Sequence, residues 1–413
     1  MLIKVIEHQK IKISKKNNAI TPEISFRSAE YLKNIELLQN KEIFRWGHNQ
    51  VTPQQWVGVI RTPEVTIEIL PKITDSSNEN IVRESFVNML KVAHNIPMRK
   101  NISANLSIGN HGFIDILASI FLKELEILIN RGVFRSYIKD SRYVNAVKGK
   151  INFTKQVNNI LKNKFHCSYS ILSEDNYINQ IIKYTLHVLS QLVKDTSIKN
   201  LIKKIYVNYN NVKLIEIKKV NTNKFTLDRQ NVGYDKVLDY CKLFINGNSL
   251  DISTGKKNVN FLLFDMNKLF ELYISKMYQK IYKNVQFQTR NHYLLESLET
   301  KKRRKIELKP DIIINFESEK IIIDTKWKLS EGFASELDIY QMNAYLAGFS
   351  SVSKAILLYP KSQKNDKMKG EYQILNGINE PYRIKIVTVD LTKLGDEPAF
   401  FKYLKEIIKF KEQ

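Results

Sequence analysis

Lys309-Pro310-Asp311-Ile312-Ile313-Ile314-Asn315-Phe316, then Glu317-Ser318-Glu319-Lys320, then Ile321-Ile322-Ile323-Asp324-Thr325-Lys326-Trp327 is the stretch on which the reading of this 413-residue chain turns. Two β-branched runs around a short polar tetrad predict a β-hairpin. Antiparallel pairing about that tetrad sets Phe316 opposite Ile321, Ile313 opposite Asp324 and Asp311 opposite Lys326. Side chains alternate along a strand with period 2, so Asp311 and Ile313 share a face, as do Asp324 and Lys326. Three charged groups therefore meet on one side of the hairpin's open end. Any even-numbered loop preserves that parity, whereas an odd loop or a bulge breaks it.

In this register Asp311 and Asp324 are diagonal neighbours, about 7–8 Å apart at the backbone and within reach of one ion. Two carboxylates suit a hard cation such as Mg²⁺, which takes one or two of them and keeps several waters. Lys326 beside that ion would orient or deprotonate an attacking water, or stabilise charge on a phosphate, while the metal lowers the water's pKa. The competing reading is a surface hairpin in which Asp311 pairs with Lys326. Ile-Ile-Ile on both strands implies burial, and charges gathered at the end of a buried hairpin are seldom there for stability.

Pro310-Asp311 followed by Asp324-Thr325-Lys326 resembles the PD-(D/E)xK nuclease signature, with Asp in the middle acidic place. Leu269-Phe270-Glu271 before it, Asp338-Ile339-Tyr340-Gln341-Met342-Asn343-Ala344-Tyr345 after it, and Leu357-Leu358-Tyr359-Pro360 later follow an order similar to McrC, the nuclease subunit of McrBC modification-dependent restriction systems. Upstream, Val57-Gly58-Val59-Ile60, Ile67-Glu68-Ile69-Leu70-Pro71-Lys72-Ile73 and Lys148-Gly149-Lys150-Ile151 continue the resemblance, so it spans most of the chain.

The resemblance implies a Mg²⁺-dependent DNA endonuclease, with Mn²⁺ as an alternative metal, that cuts double-stranded DNA with metal-activated water. It implies Asp311 and Asp324 as metal ligands, Lys326 beside the nucleophile and Glu271 as a supporting acid. Gln341 and Tyr345, four apart on one helix face, resemble the auxiliary motif of RecB-like nucleases. An AAA+ GTPase of McrB type would recruit the chain and carry the module that reads 5-methylcytosine. Two alternatives stay open: a stand-alone nuclease or resolvase of the same superfamily, and a catalytically silent DNA-binding adaptor that stimulates a partner NTPase.

Lys+Arg number 65 against 42 Asp+Glu, a net charge of +23 that favours a polyanionic partner or reflects a Lys- and Asn-rich coding bias. Within that charge, Lys301-Lys302-Arg303-Arg304-Lys305 is either a solvated loop or a hold on the DNA backbone. Cys167 and Cys241 alone exclude a disulfide framework and a Cys-based zinc site, and fit a reducing compartment. With no apolar run near the length of a membrane span and no sustained apolar segment at Met1–His8, the expected location is the cytoplasm. Around Thr254-Gly255-Lys256-Lys257 a P-loop would need Gly at 250 and Ser or Thr at 257, where Leu250 and Lys257 stand, so no nucleotide is expected on this chain.

The expected architecture is an α+β N-terminal region with a mainly helical middle, then an α/β nuclease domain whose mixed sheet is flanked by helices. Residues 1–250 form the partner-binding region, strand-rich over 1–75 and mainly helical over 79–250, and residues 251–413 the endonuclease domain. Leu2–Ile6 and Ile11–Ile13 read as a first pair, and Trp56–Ile60 with Val65–Leu70 as a half-buried hairpin. Apolar spacing predicts a helix over Phe261–Tyr282 and another over 333–347, a buried strand at Ala355–Leu358, and edge strands at Tyr372–Leu375 and Ile384–Val389.

Overall fold

The computed structural model describes residues 1–39, 41–73, 78–96, 112–157, 163–217, 220–221, 232–246, 261–290, 292–296, 305–316, 319–329, 333–375, 382–393 and 397–410. The chain divides into two compact units, one of Met1–Phe113 together with Phe261–Gln413, the other Ile114–Asn260. The first 75 residues, grouped with the helical middle on sequence grounds, thus belong to the same unit as the C-terminal part.

The chain opens with β1 (Leu2–Ile6), β2 (Ile11–Ser14), β3 (Glu23–Ser25), α1 (Phe26–Gln39), β4 (Phe44–Gly47), β5 (Gln50–Pro53), β6 (Trp56–Arg61), β7 (Thr66–Leu70) and α2 (Glu79–Ala93). β1 does not pair with β2, contrary to expectation. It runs parallel to β7, Leu2 beside Thr66 through Ile6 beside Leu70, while β2 joins a separate sheet of order β3-β2-β5-β4. His8, at a φ of 65°, turns the chain between the two sheets. The β6–β7 hairpin forms as read, but β7 is buried at every position: β1 and β6 pair both its edges, and Arg83 of α2 covers the Glu68 face. Gly58 is required in β6: a Cβ there would lie 2.0 Å from the Leu262 carbonyl.

In the second unit, α3 (Phe113–Ile129) leads to β8 (Ser136–Val144), β9 (Lys150–Ile151), α4 (Phe153–Val157), β10 (Phe165–Ser173), α5 (Tyr177–Leu192), α6 (Thr196–Val207) and α7 (Asp235–Asn246). Its middle is not helical throughout. β8 and β10 pair antiparallel along their whole lengths, from Val144 beside Phe165 to Ser136 beside Ser173. Their polar, largely exposed side chains carry little hydrophobic period to read. Asn176 caps α5 and Asp195 caps α6, each accepting from a backbone N–H of the first turn.

The rest of the first unit comprises β11 (Phe261–Asp265), α8 (Met266–Ile281), β12 (Val285–Phe287), β13 (His292–Glu296), β14 (Lys305–Leu308), β15 (Ile312–Asn315), β16 (Lys320–Thr325), α9 (Glu336–Gly348), β17 (Val352–Pro360), α10 (Gln363–Asp366), β18 (Gly370–Gln373), β19 (Arg383–Val389) and α11 (Glu397–Ile407). Residues 261–265 are a strand, not the first turn of a helix. They pair antiparallel with β6, and Asp265 then caps α8 by accepting from Asn267 N. The major sheet has order β12-β15-β16-β17-β19-β18 and mixes parallel with antiparallel pairs. β19 is internal rather than an edge, since β18 folds back over it. Met342, Tyr345 and Leu346 of α9 pack on one face against Ile313, Ile322, Ala355, Leu357 and Ile384. α8 contacts β16 and β12 and is joined to α11 through the Tyr273 and Phe400 rings. Among the described residues no helix is long and apolar enough to cross a membrane.

Candidate active site

The hairpin of β15 and β16 pairs Ile312 with Ile323, Ile313 with Ile322, Ile314 with Ile321 and Asn315 with Lys320. That register differs by two residues from the expected one. Lys320 belongs to the strand rather than the turn, and Phe316 N donates to Glu319 O at 2.9 Å, which tightens the loop. A two-residue shift keeps the parity, so Asp324 and Lys326 still share a face with Ile322. What changes is the partner: Asp311 stands at the Asp324 end of the hairpin instead of facing Lys326.

Asp324 is 2% exposed at the end of β16, and its Oδ2 lies 2.6 Å from Lys326 Nζ. Lys326 Nζ also donates to Gln341 Oε1 at 2.7 Å. Gln341 Nε2 donates to Tyr345 Oη at 2.9 Å, and Tyr345 Oη donates to the Lys309 carbonyl at 2.9 Å. The two α9 residues thus lock Lys326 and anchor the strand that delivers Asp311. Asp311 Oδ2 accepts from both the amide and the hydroxyl of Thr325 at 2.7 Å. From α8, Glu271 stands near enough to Asp311 for the charge of Asp311 to raise it, and its Oε1 accepts from Gln288 Nε2 at 2.8 Å.

Burial first, and the charge of Asp311 second, push both Glu271 and Asp324 up to about 7. Burial raises Asp311 as well, against the hydrogen bonds from Thr325. For Lys326 burial works downward, but Asp324 beside it, with Asp338 and Asp311, together outweigh burial, and the ammonium is held above its ordinary value. Three carboxyls and one lysine at a closed sheet end leave the site short of positive charge. The donor set is therefore the oxygen set a hard cation prefers. No three acidic, histidine or cysteine side chains among the described residues surround a single point as they stand. The fit is accordingly to an ion held by the two aspartates, with water completing its shell.

Several contributors were given no role by the sequence. Thr325 occupies the unspecified place between Asp324 and Lys326, and only the structure shows it binding Asp311. Trp327 Nε1 donates to both carboxylate oxygens of Glu7, at 3.0 and 3.1 Å, across 320 residues of chain. Its ring meets Phe270, next to Glu271, edge-on at 5.4 Å. Asp338 accepts from Tyr359 Oη at 2.9 Å and pairs with Lys328 at 2.6 Å, bracing the start of α9. Lys301, Lys302, Arg303 and Arg304 lie outside the described residues, as does the side chain of Lys305, where β14 begins.

Fold and site together define a mixed α/β protein that gathers buried acids and a lysine at one end of its major sheet. Residues 51–360 match the family described as McrBC 5-methylcytosine restriction system component, and the chain belongs to that family. The type IV methyl-directed restriction enzyme EcoKMcrBC of Escherichia coli (strain K12) is 26% identical over 314 residues, covering 70% of this chain and 86% of that protein. A chain of the refined half-complex from the tetradecameric assembly of Thermococcus gammatolerans McrB AAA+ hexamers with bound McrC superposes with a TM-score of 0.67. The match covers 99% of this chain and 100% of that one at 17% identity, so the two share a fold. Within its family this chain is an McrC-type subunit.

Proposed function

We propose that this chain is the nuclease subunit of a 5-methylcytosine-dependent restriction system, a Mg²⁺-dependent DNA endonuclease of PD-(D/E)xK type. The observation that carries the reading is the convergence of Asp311, Asp324 and Lys326 at the end of one hairpin, with Gln341 holding the lysine. Asp311 and Asp324 would hold the ion. When bound, a divalent cation supplies Lewis acidity toward a phosphodiester and toward water. Lys326, protonated and fixed on two sides, acts as a hydrogen-bond donor and positive charge for the phosphate rather than as a base. Glu271 supports Asp311 from α8. Gln341 and Tyr345 set the lysine's place.

Partner contacts are assigned to residues 1–250 and the chemistry to residues 251–413. A GTP-driven AAA+ partner of McrB type is inferred from the relative whose complex joins McrB hexamers to McrC. Double-stranded DNA is the substrate, in keeping with a net charge of +23. The setting is the cytoplasm, where that DNA lies.

The deciding experiment is plasmid cleavage with Mg²⁺ on methylated and unmethylated DNA. Wild type is compared with Asp324→Ala, with and without the McrB-type partner and GTP. Cleavage that needs the partner, GTP and Asp324 is expected. Cleavage by the chain alone, still needing Asp324, replaces this reading with an independent nuclease. Equal cutting by Asp324→Ala removes the hairpin as the active site.

A further inference from the structure

Gln288 lies outside every motif read from the sequence, yet it touches both acids on the α8 side of the site. It follows β12 and has a φ of 46°, a left-handed conformation that L-residues other than Asn and Asp adopt sparingly. Two bonds accompany that conformation. Its backbone N–H donates to the Asp311 carbonyl at 3.0 Å, and its side-chain Nε2 donates to Glu271 Oε1 at 2.8 Å. Glycine would take this φ without steric cost, so the backbone alone gives no reason for a long side chain here. The amide supplies that reason, because no backbone group of glycine could reach the Glu271 carboxylate in its place. Strain of this kind persists where neighbours over-determine it, and it concentrates at functional sites.

We propose that Gln288 is a positioning residue: through its strained backbone and its amide it sets Glu271 against Asp311, so that the acid cluster is pre-formed for a divalent cation. This rests on the metal-dependent reading above. Its chemistry is that of a support behind a metal-binding carboxylate, which orients the acid without touching substrate.

The test uses the full-length chain, with Mn²⁺ alone as the probe in isothermal titration calorimetry and thermal melts alongside. The variants are Gln288→Ala, Gln288→Gly and, as a control, Asp324→Ala. Both Gln288 variants are expected to bind Mn²⁺ about 10-fold more weakly. Because Gly relieves the left-handed strain that Ala retains, Gln288→Gly should melt above Gln288→Ala while binding no better. A gain in stability with no gain in metal affinity is what a merely structural residue would not give. Wild-type affinity in both Gln288 variants, with Asp324→Ala defective, overturns the proposal and leaves the metal site standing. Affinity restored together with melting temperature in Gln288→Gly also overturns it. If Asp324→Ala itself binds Mn²⁺ like wild type, the metal site fails and this inference falls with it.

Discussion

Two buried charge clusters lie in the same unit and are built to opposite plans. On β7, Glu68 is 1% exposed, and its carboxylate receives Arg83 Nε at 3.3 Å, Arg83 Nη2 at 2.9 Å and the Phe113 amide at 3.3 Å. Arg83 reaches Glu79 as well, at 3.0 Å. With Lys4 pairing Glu79 at 2.9 Å, two acids meet two cations there, and the Glu68 carboxylate accepts three hydrogen bonds. At the ends of β15 and β16, by contrast, Glu271, Asp311 and Asp324 share one lysine, and burial raises the pKa of all three. A buried cluster short of positive charge destabilises the fold unless a cation completes it. The difference separates an ion pair that joins α2 to a sheet from the cluster proposed above as the metal site, and it does so by charge balance rather than by burial.

The contrast can be broken most directly at Asp324. Asp324→Ala is expected to lower DNA cleavage by more than about 100-fold, the loss of several kcal/mol of transition-state stabilisation. Its melting temperature should hold or rise, since a crowded carboxyl is gone; a marked fall would make this cluster structural like the other. Arg83→Leu is the mirror test. It leaves Glu68 buried without a counter-charge and should cost about 3–5 kcal/mol in denaturant unfolding, with cleavage per folded molecule close to wild type.

Glu7 sharpens the comparison with pH. Burial lifts its carboxyl from the ordinary 4.5 to about 7, against the hydrogen bonds from Lys72 N and Trp327. A raised folded pKa means that its contribution to stability is complete below about 4.5 and lost as pH rises through about 7. Glu7→Gln does not titrate, so its stability relative to wild type should climb across that window by about 3 kcal/mol and then level. Melts of both proteins at pH 4.5, 6 and 8 read this directly, and a constant gap would disprove it. The smallest effect is expected at Gln341. Truncation to Ala frees Lys326 on one side and should reduce kcat about 10-fold with little change in KM. A change confined to KM would assign Gln341 to DNA binding instead.

The hairpin was legible because two isoleucine runs bracket a short polar stretch, and its parity because any even-numbered loop keeps the same side chains on one face, even though both faces of the runs are buried. The loop length was not, since Lys320 reads equally well as turn or strand until β17 pairs alongside it with Val352. The same ambiguity hid β11: Phe261–Asp265 extends an apolar helical pattern, and only the open edge of β6 pulls those residues into a sheet. Gln341 and Tyr345 were placed on one helix face by their spacing, but their bonds to Lys326 and the Lys309 carbonyl depend on how α9 lies across the sheet.

Composition, apolar period and local spacing determined that this chain forms a mixed α/β fold, that its acids and lysine share the end of one hairpin, and that two helices flank it. Those properties arise from neighbours in sequence, where strand and helix geometry fix direction. Tertiary structure alone decided the contacts of Glu7 with Trp327, Gln288 with Glu271 and Asp311, and β1 with β7. Each joins residues that no local period relates: the Glu7–Trp327 bonds are buried, the Gln288–Glu271 bond lies at the surface, and β1 meets β7 by pairing within one sheet.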